Sequence, residues 1–244
     1  VLTLVNITLK KTGFENIHVS LATKPKSAMG SDELWNQAID SLKKALATSG
    51  HTYTIKPGEG AFYGPKIEVG IEDSMGRHWQ CGTIQVDFFQ PENFDMTYVA
   101  SHGKKERPVV IHHAIYGSLE RFFAILLEHH KGHLPFWLAP VQARILTITD
   151  QQKEYALKLL EQLTAYGVRA DFDQSSDPIS GKIKTAQGEH IPWMLVIGAK
   201  EVANNTITLR YANGQQEFGV TMNALLEKIK ELQQIKERHD ADKI

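Results

Sequence analysis

The chain has 244 residues, 42% of them hydrophobic and 23% charged, which is ample for one large globular domain or two of moderate size. Its formal net charge of -1 excludes binding a polyanion through bulk charge, so any nucleic-acid contact needs a focused patch. A single cysteine, Cys81, excludes an intramolecular disulfide. With no run near the ~20 apolar residues of a membrane span and no signal-peptide pattern at the start, a soluble, cytoplasmic protein is expected.

Residues 1 to 12 carry Val1, Leu2, Val5 and Leu9 at helical spacing, like the tail of an amphipathic helix already under way and ending near Gly13. The chain therefore reads as a fragment. From 16 to 23, Ile17, Val19 and Leu21 alternate as one face of a strand. After a loop at 24 to 30, Ser31 caps a helix with Asp32 and Glu33 in its first turn. Its stripe is Trp35, Ala38, Ile39, Leu42, Ala45 and Leu46, and Gly50 stops it. A short strand at 53 to 56 and a turn at 57 to 60 lead into GEGAFYGPKIEV, whose glycines match neither the dinucleotide fingerprint nor a P-loop. Two strands, 66 to 72 and 78 to 88, form a hairpin around the turn 73 to 77. In the second strand Trp79, Cys81, Thr83 and Gln85 share one face and Gln80, Gly82, Ile84, Val86 and Phe88 the other, provided no bulge intervenes. A polar group buried without a partner costs about 1 to 3 kcal/mol. Gln80 and Gln85 are therefore served by a ligand, by water or by each other, or else they lie on a solvent-facing edge of sheet.

Residues 90 to 106 read as polar loop, and the stretch from 108 to 132, PVVIHHAIYGSLERFFAILLEHHKG, is the centre of the chain. An apolar run, Val109 to Ile111, meets His112 and His113 and a Gly117-Ser118 break. Leu119, Phe122, Phe123, Leu126 and Leu127 then follow at the spacing of an amphipathic helix. Ser118 caps this helix and Glu120 suits its first turn. Arg121 faces the positive end of the helix dipole, a mismatch of about 0.3 to 1 kcal/mol unless an anion neutralises both. Either Arg121 and the free N–H groups of the turn hold a phosphate, or Arg121 pairs with Glu120 or another surface carboxylate.

Pro135 and Pro140 around an apolar cluster mark a domain junction. Beyond it, strands at 144 to 149, 168 to 173, 193 to 198 and 206 to 211 alternate with helices at 151 to 166 and 179 to 187. A last helix bears Met222, Leu225, Leu226 and Ile229 and runs into a charged, frayed tail. The run Trp193 to Gly198 is apolar on both faces, the signature of a buried parallel strand, and the whole predicts a compact α/β domain with right-handed crossovers.

His112, His113, His129, His130 and His133 lie close in sequence, yet Gly132 and Pro135 end the helix before His129 and His133 can share a face, and no zinc set assembles from spacing. There is no nucleophile elbow, and Cys81 has no sequence-local base. What coheres is a polar strand with Gln80 and Gln85, within reach of Tyr63, Lys66 and Arg121: two cations, two amides and a helix N-terminus, suited to an anionic nucleotide and to transition-state charge on phosphate.

GSDELW (30 to 35), GEGAFYGPKIE (58 to 68), WQCGTIQVDF (79 to 88), IHHAIYGSLERF (111 to 122) and WLAPVQ (137 to 142) together closely resemble the threonyl-tRNA synthetases, class II aminoacyl-tRNA synthetases. The resemblance extends more loosely to KIK (182 to 184), PWMLVIGAKEV (192 to 202) and the final helix, as an anticodon-binding domain. By matching position it implies that Arg121 is the motif 3 arginine on the ATP phosphates, with Ser118 in the same turn. Tyr63 stands at the threonine pocket, with Lys66 as a nearby basic contact, Gln80 as an ATP-binding glutamine and Gln85 as a second polar pocket residue. His112 matches one of three zinc ligands, the zinc gripping the amino and hydroxyl groups of threonine so that valine is refused. Glu201 and Arg210 match positions that read anticodon bases, and Lys184 lies where a basic contact is expected. The other two zinc ligands, with motifs 1 and 2, belong before residue 1. His113 replaces a usual arginine, and Ser180-Gly181 and Gly188-Glu189-His190 depart from a more basic family pattern.

The resemblance thus implies, for residues 1 to 140, the C-terminal part of a class II catalytic domain, α+β with an antiparallel sheet. For residues 141 to 244 it implies an α/β anticodon-binding domain with a mixed sheet. The parent enzyme would use ATP with magnesium to activate L-threonine and pass it to tRNA(Thr), as a homodimer, and this chain alone would have little or no activity. A non-catalytic tRNA-binding module derived from a synthetase is the alternative. A prolyl or histidyl enzyme fits less well, given His112 and AFYGPK.

Overall fold

The computed structural model describes residues 1–241, with side chains through residue 232. The charged tail anticipated at the end of the chain lies outside the residues so described. The chain divides into two compact units, Val1–Glu128 and His129–Ile244.

In the first unit the elements run α1 (Leu2–Lys11), β1 (Ile17–Ala22), α2 (Asp32–Thr48), β2 (Thr54–Lys56), β3 (Lys66–Glu72), β4 (His78–Asp87), α3 (Phe89–Asn93), β5 (Tyr98–Val99), β6 (Lys105–Glu106), β7 (Val110–Ala114) and α4 (Leu119–His129). The main sheet has the order β2-β1-β3-β4-β7 and is antiparallel except for the β1-β2 pair. Ser31 caps α2 as its sequence demands, accepting the Leu34 N–H at 3.3 Å, and the helix buries Trp35, Ala38, Leu42 and Leu46. Ala45 faces solvent instead, one step outside the stripe. One face of the sheet is apolar: Val19, Leu21, Ile67, Val69, Ile71 and Ile84 are buried on it. On that side α1 and α2 line, with Ile67, Ile84 and Ile111, a groove of about 550 Å³.

Two sequence expectations shift here. The segment 89 to 106 is not plain loop, since it holds α3 and the β5-β6 ribbon. The buried seam of α4 is Phe122, Ile125 and Leu126, whereas Leu119 and Phe123 are 67% and 56% exposed. The Phe122 ring sets this phase by packing against Tyr116 (centroids 4.5 Å apart) and Phe14 (5.9 Å).

The second unit runs β8 (Ala143–Thr147), a single 3-10 turn, α5 (Lys153–Ala165), β9 (Ala170–Asp173), α6 (Ile179–Gly188), β10 (Trp193–Ile197), α7 (Ala199–Asn204), β11 (Ile207–Tyr211), β12 (Gln216–Val220) and α8 (Met222–Ala241). Its sheet, β12-β11-β10-β8-β9, is mixed: β9, β8 and β10 are parallel, β11 and β12 antiparallel. β10 is buried on both faces as its composition requires. Leu195 and Ile197 meet the core of α5 and α8 (Leu159, Leu163, Leu225, Ile229), and Met194 packs with Leu146, Ala186 and Ile191. α7 and β12 escape the sequence reading, one being only six residues long and the other an edge strand whose Phe218 is exposed.

Candidate active site

A bulge fixes which side chains meet. Along β3 and β4 the register runs Lys66 opposite Gln85, Glu68 opposite Thr83 and Val69 opposite Gly82, then jumps to Gly70 opposite Gln80, leaving Cys81 as the extra residue. Opposed residues share a face, so the jump moves Gln80 onto the face that carries Gln85. The two glutamines therefore stand on one polar face, with Lys66, Glu68, Glu72, His78 and, through β7, His112.

At one end of this face lies a hydrogen-bonded chain. The Tyr63 hydroxyl donates to Gln85 Oε1 at 2.5 Å, the Tyr63 ring packs 5.8 Å from that of His112, and His112 Nε2 lies 2.8 Å from Asp87 Oδ2. Asp87 is buried, and its Oδ1 also accepts the N–H groups of Phe89 and Gln90, so the carboxylate is fixed by the start of α3 and in turn fixes the imidazole. With Nε2 so engaged, His112 presents Nδ1, an arrangement in which a carboxylate orients a metal-ligating histidine. His112 is one donor only: among the described residues the sole cluster of three metal-type ligands lies elsewhere, at His18, Glu72 and His78. Gly64 belongs to this end as well, because a Cβ there would stand 1.7 Å from the Val86 carbonyl oxygen. Only glycine lets the AFYGPK segment lie so close to β4.

In the middle of the face Glu68 is buried between two lysines, 2.8 Å from Lys56 Nζ and 2.7 Å from Lys66 Nζ. Burial alone would raise its carboxyl pKa, but hydrogen bonds and charge from the two lysines outweigh this and hold it below the usual range. Lys66 is thus positioned by Glu68.

Ser118 caps α4, accepting the Arg121 N–H at 3.3 Å and donating to Glu120 Oε2 at 2.8 Å. Glu120 is thereby occupied, its carboxyl held low by hydrogen bonds from its own backbone N–H and from Ser118. Arg121 does not pair with it. The guanidinium lies 5.5 Å from the centroid of the Trp79 ring, a cation–π contact, and among the described residues it makes no ion pair. Trp79 is opposite Ile71, in the row that alternates with the polar one, so the structure groups Arg121 with Trp79 rather than with Tyr63, Gln85 or Lys66. Cys81 is buried and its thiol is pushed up to about 11 by that burial, in keeping with its lack of a base.

In the second unit, Glu201 reaches back from α7 to accept the Gly198 N–H (2.9 Å) and the Thr208 hydroxyl (2.9 Å). Arg210, on β11, has a buried Nε with no hydrogen-bond partner. Lys184 is exposed on α6, whereas Lys182 two residues earlier is buried with Nζ on the Thr147 carbonyl at 3.3 Å. The sequence marks Glu68 as an acid beside Lys66 but not its role, and it gives no sign of Asp87 and Trp79 as the side chains that position His112 and Arg121.

Residues 1–130 match the family described as tRNA synthetase class II core domain (G, H, P, S and T), and residues 142–232 match the one described as anticodon binding domain. The chain is 51% identical over 195 residues to the threonine-tRNA ligase of Natranaerobius thermophilus, covering 80% of this chain and 31% of the relative. With that of Carboxydothermus hydrogenoformans it is 44% identical over 235 residues, covering 95% and 37%. The chain thus spans about a third of the length of the curated relatives it matches. Among solved structures, the RNA binding domain of threonyl-tRNA synthetase from Cryptosporidium parvum superposes with a TM-score of 0.87 at 39% identity, covering 95% of this chain and 58% of that one. The polar face and the helix that carries Arg121 therefore lie within a region matched along its whole length by one family, and the chain belongs to the class II tRNA synthetases of the G, H, P, S and T core, with an anticodon binding domain following.

Proposed function

We propose that the chain serves a threonine-tRNA ligase, a cytoplasmic homodimer that activates L-threonine with ATP and magnesium and transfers it to tRNA(Thr). Residues 1–140 belong to the catalytic domain and 141–244 to the anticodon-binding domain. The observation that carries this reading is the chain Tyr63–Gln85 and His112–Asp87 on one polar face, beside Lys66. Tyr63, Gln85 and Lys66 bind threonine and the nucleotide, and Gln80 contacts ATP from the same face. Arg121, which rests on Trp79 here and has no acidic partner among the described residues, is assigned to the phosphates by its place in the first turn of α4 and must leave that ring to reach them. Ser118 holds that turn. Zinc, when bound, would grip the amino and hydroxyl groups of threonine. His112 would hold it through Nδ1, with Asp87 orienting the ring, and further ligands are needed beyond the residues around His112. In the second domain the partnerless Nε of Arg210 and the exposed Lys184 face RNA, while Glu201 contributes carboxylate lone pairs left over from its two internal hydrogen bonds.

The test is threonine-dependent exchange of pyrophosphate into ATP, by this chain and by a version extended upstream. The extended protein should exchange, Arg121→Ala should lower its rate by about 10²-fold or more, and the short chain should be silent. Exchange unaffected by Arg121→Ala sinks the assignment of that residue. No exchange in either form, with tRNA binding weakened by Arg210→Ala, would leave a non-catalytic tRNA-binding module.

A further inference from the structure

We propose that His18, Glu72 and His78 form a second metal site, for a divalent transition-metal ion of the zinc type. Its ligands are distinct from His112, and the proposal does not rest on the ligase reading. It arises from strand pairing. Glu72 and His78 stand directly opposite each other at the closed end of the β3-β4 hairpin, and His18 comes onto the same face from β1, opposite Gly70. Their ligand atoms all lie within 4.8 Å of one another, and His18 Nε2 is already 3.4 Å from Glu72 Oε2. Tetrahedral zinc with bonds of about 2.0 to 2.1 Å needs ligand atoms about 3.3 to 3.4 Å apart, so the site needs little more than side-chain rotation to close. The two imidazoles meet edge to face with centroids 4.3 Å apart at 87°, which brings both rings to one point.

Gly70 supplies the room. On the row His18–Gly70–Gln80 it alone has no side chain, and it floors a cleft of about 410 Å³ that His18 and His78 share with Ser20, Lys56 and Gln80. Two imidazoles and one carboxylate are three protein ligands, a set that leaves a fourth position open, here toward that cleft. The ligands sit on three paired strands rather than on loops, so their spacing is held by the sheet. The contacts among the three are the His18–Glu72 pair, 51% and 35% exposed at their side chains, and the His18–His78 ring contact, and an ion would draw on both.

The experiment is titration of the metal-free 244-residue chain with Zn²⁺ by calorimetry and with Co²⁺ by visible absorption. One equivalent should bind in the micromolar range. His18→Ala, His78→Ala and Glu72→Gln should each weaken binding by about tenfold or more, whereas His112→Ala should leave it unchanged. Far-UV circular dichroism checks that these exposed positions fold normally when changed. Absence of micromolar binding overturns the proposal, as does binding indifferent to His18 and His78 or binding lost with His112→Ala.

Discussion

Replacing Gly117 by alanine separates two costs that the structure makes distinguishable. Gly117 has φ +67°, and a Cβ built on it falls 2.7 Å from the carbonyl oxygen of Cys81. Gly50 has nearly the same φ, +70°, but nothing lies within 4 Å of its Cβ position. Both substitutions pay the left-handed conformation, about 1 to 2 kcal/mol for a residue with a Cβ. Only Gly117→Ala also collides with backbone: an ordinary carbon-to-oxygen approach is about 3.3 to 3.6 Å, so either the turn or the bulge must retreat by about 0.6 Å or more. Overpacking of this kind costs about 1 to 3 kcal/mol. Gly50→Ala should therefore destabilise the first unit by about 1 to 2 kcal/mol and Gly117→Ala by about 2 to 5. Both positions lie in the unit Val1–Glu128, so urea unfolding read by pulse-labelled hydrogen exchange on peptides from that unit compares them directly. The retreat moves the Cys81 bulge that sets the face of Gln80, and the turn that carries Ser118 and Arg121, so the Trp79 fluorescence of the folded variant should change as well. Equal costs for the two alanines would refute the close-approach argument.

Three further outcomes follow from particular contacts. Glu68→Gln should cost about 1 to 3 kcal/mol near pH 7, since the amide loses the charge that the two lysines share. Because the folded carboxyl is held low, its contribution is complete above its ordinary value of about 4.5 and fades as pH falls through the lowered one; the gap between wild type and variant in urea should narrow as pH drops below 4.5, and a gap constant with pH would contradict it. The Cys81 thiol, buried and pushed up to about 11, should resist iodoacetamide at pH 8 until urea opens the first unit, and rapid native alkylation would refute that burial. Leu195→Ala, on the doubly buried β10, should destabilise the second unit by about 2 to 5 kcal/mol in the same hydrogen-exchange assay, whereas a change under 1 kcal/mol would mean that β10 is not its core.

Elements with strong local grammar were legible. Ser31 with Asp32 and Glu33 announces α2, the turn 73 to 77 announces the β3-β4 hairpin, and the unbroken apolar run at 193 to 197 announces a strand buried on both sides. The hairpin turn is held as tightly as its residues suggest: Asp73 accepts the N–H groups of Met75 and Arg77 and the side chains of Arg77 and Trp79, which together outweigh burial and keep its carboxyl well below the usual range. What failed was phase. In α4 the periodicity allowed several apolar stripes, and a long-range contact, Phe122 on Phe14, selected the one centred on Ile125.

Phase was also what the sequence left open at the site. Read with a strict two-residue period, Gln80 and Gln85 fall on opposite faces, so the grouping of both with Tyr63 and Lys66 needed a bulge that spacing alone does not locate. One unpaired residue at Cys81 reverses the parity and gathers Gln80, Gln85, Lys66, His78 and His112 on a single face. The supporting partners share this concealment, because Asp87 reaches His112 only across the β4-β7 register, and Glu68 reaches Lys56 from a strand with which β3 is not even paired. Local spacing carries no trace of either contact. The bulge does leave a mark. Two polar residues five positions apart in one strand can serve one ligand only if an odd residue is slipped between them, and a small residue next to a glycine, Cys81 beside Gly82, is where the backbone accepts it most easily. Gln80 is exposed and Gln85 accepts from Tyr63, so it is the register of β3 with β4, not a cost of burial, that establishes the bulge and puts both glutamines on the face of the sheet.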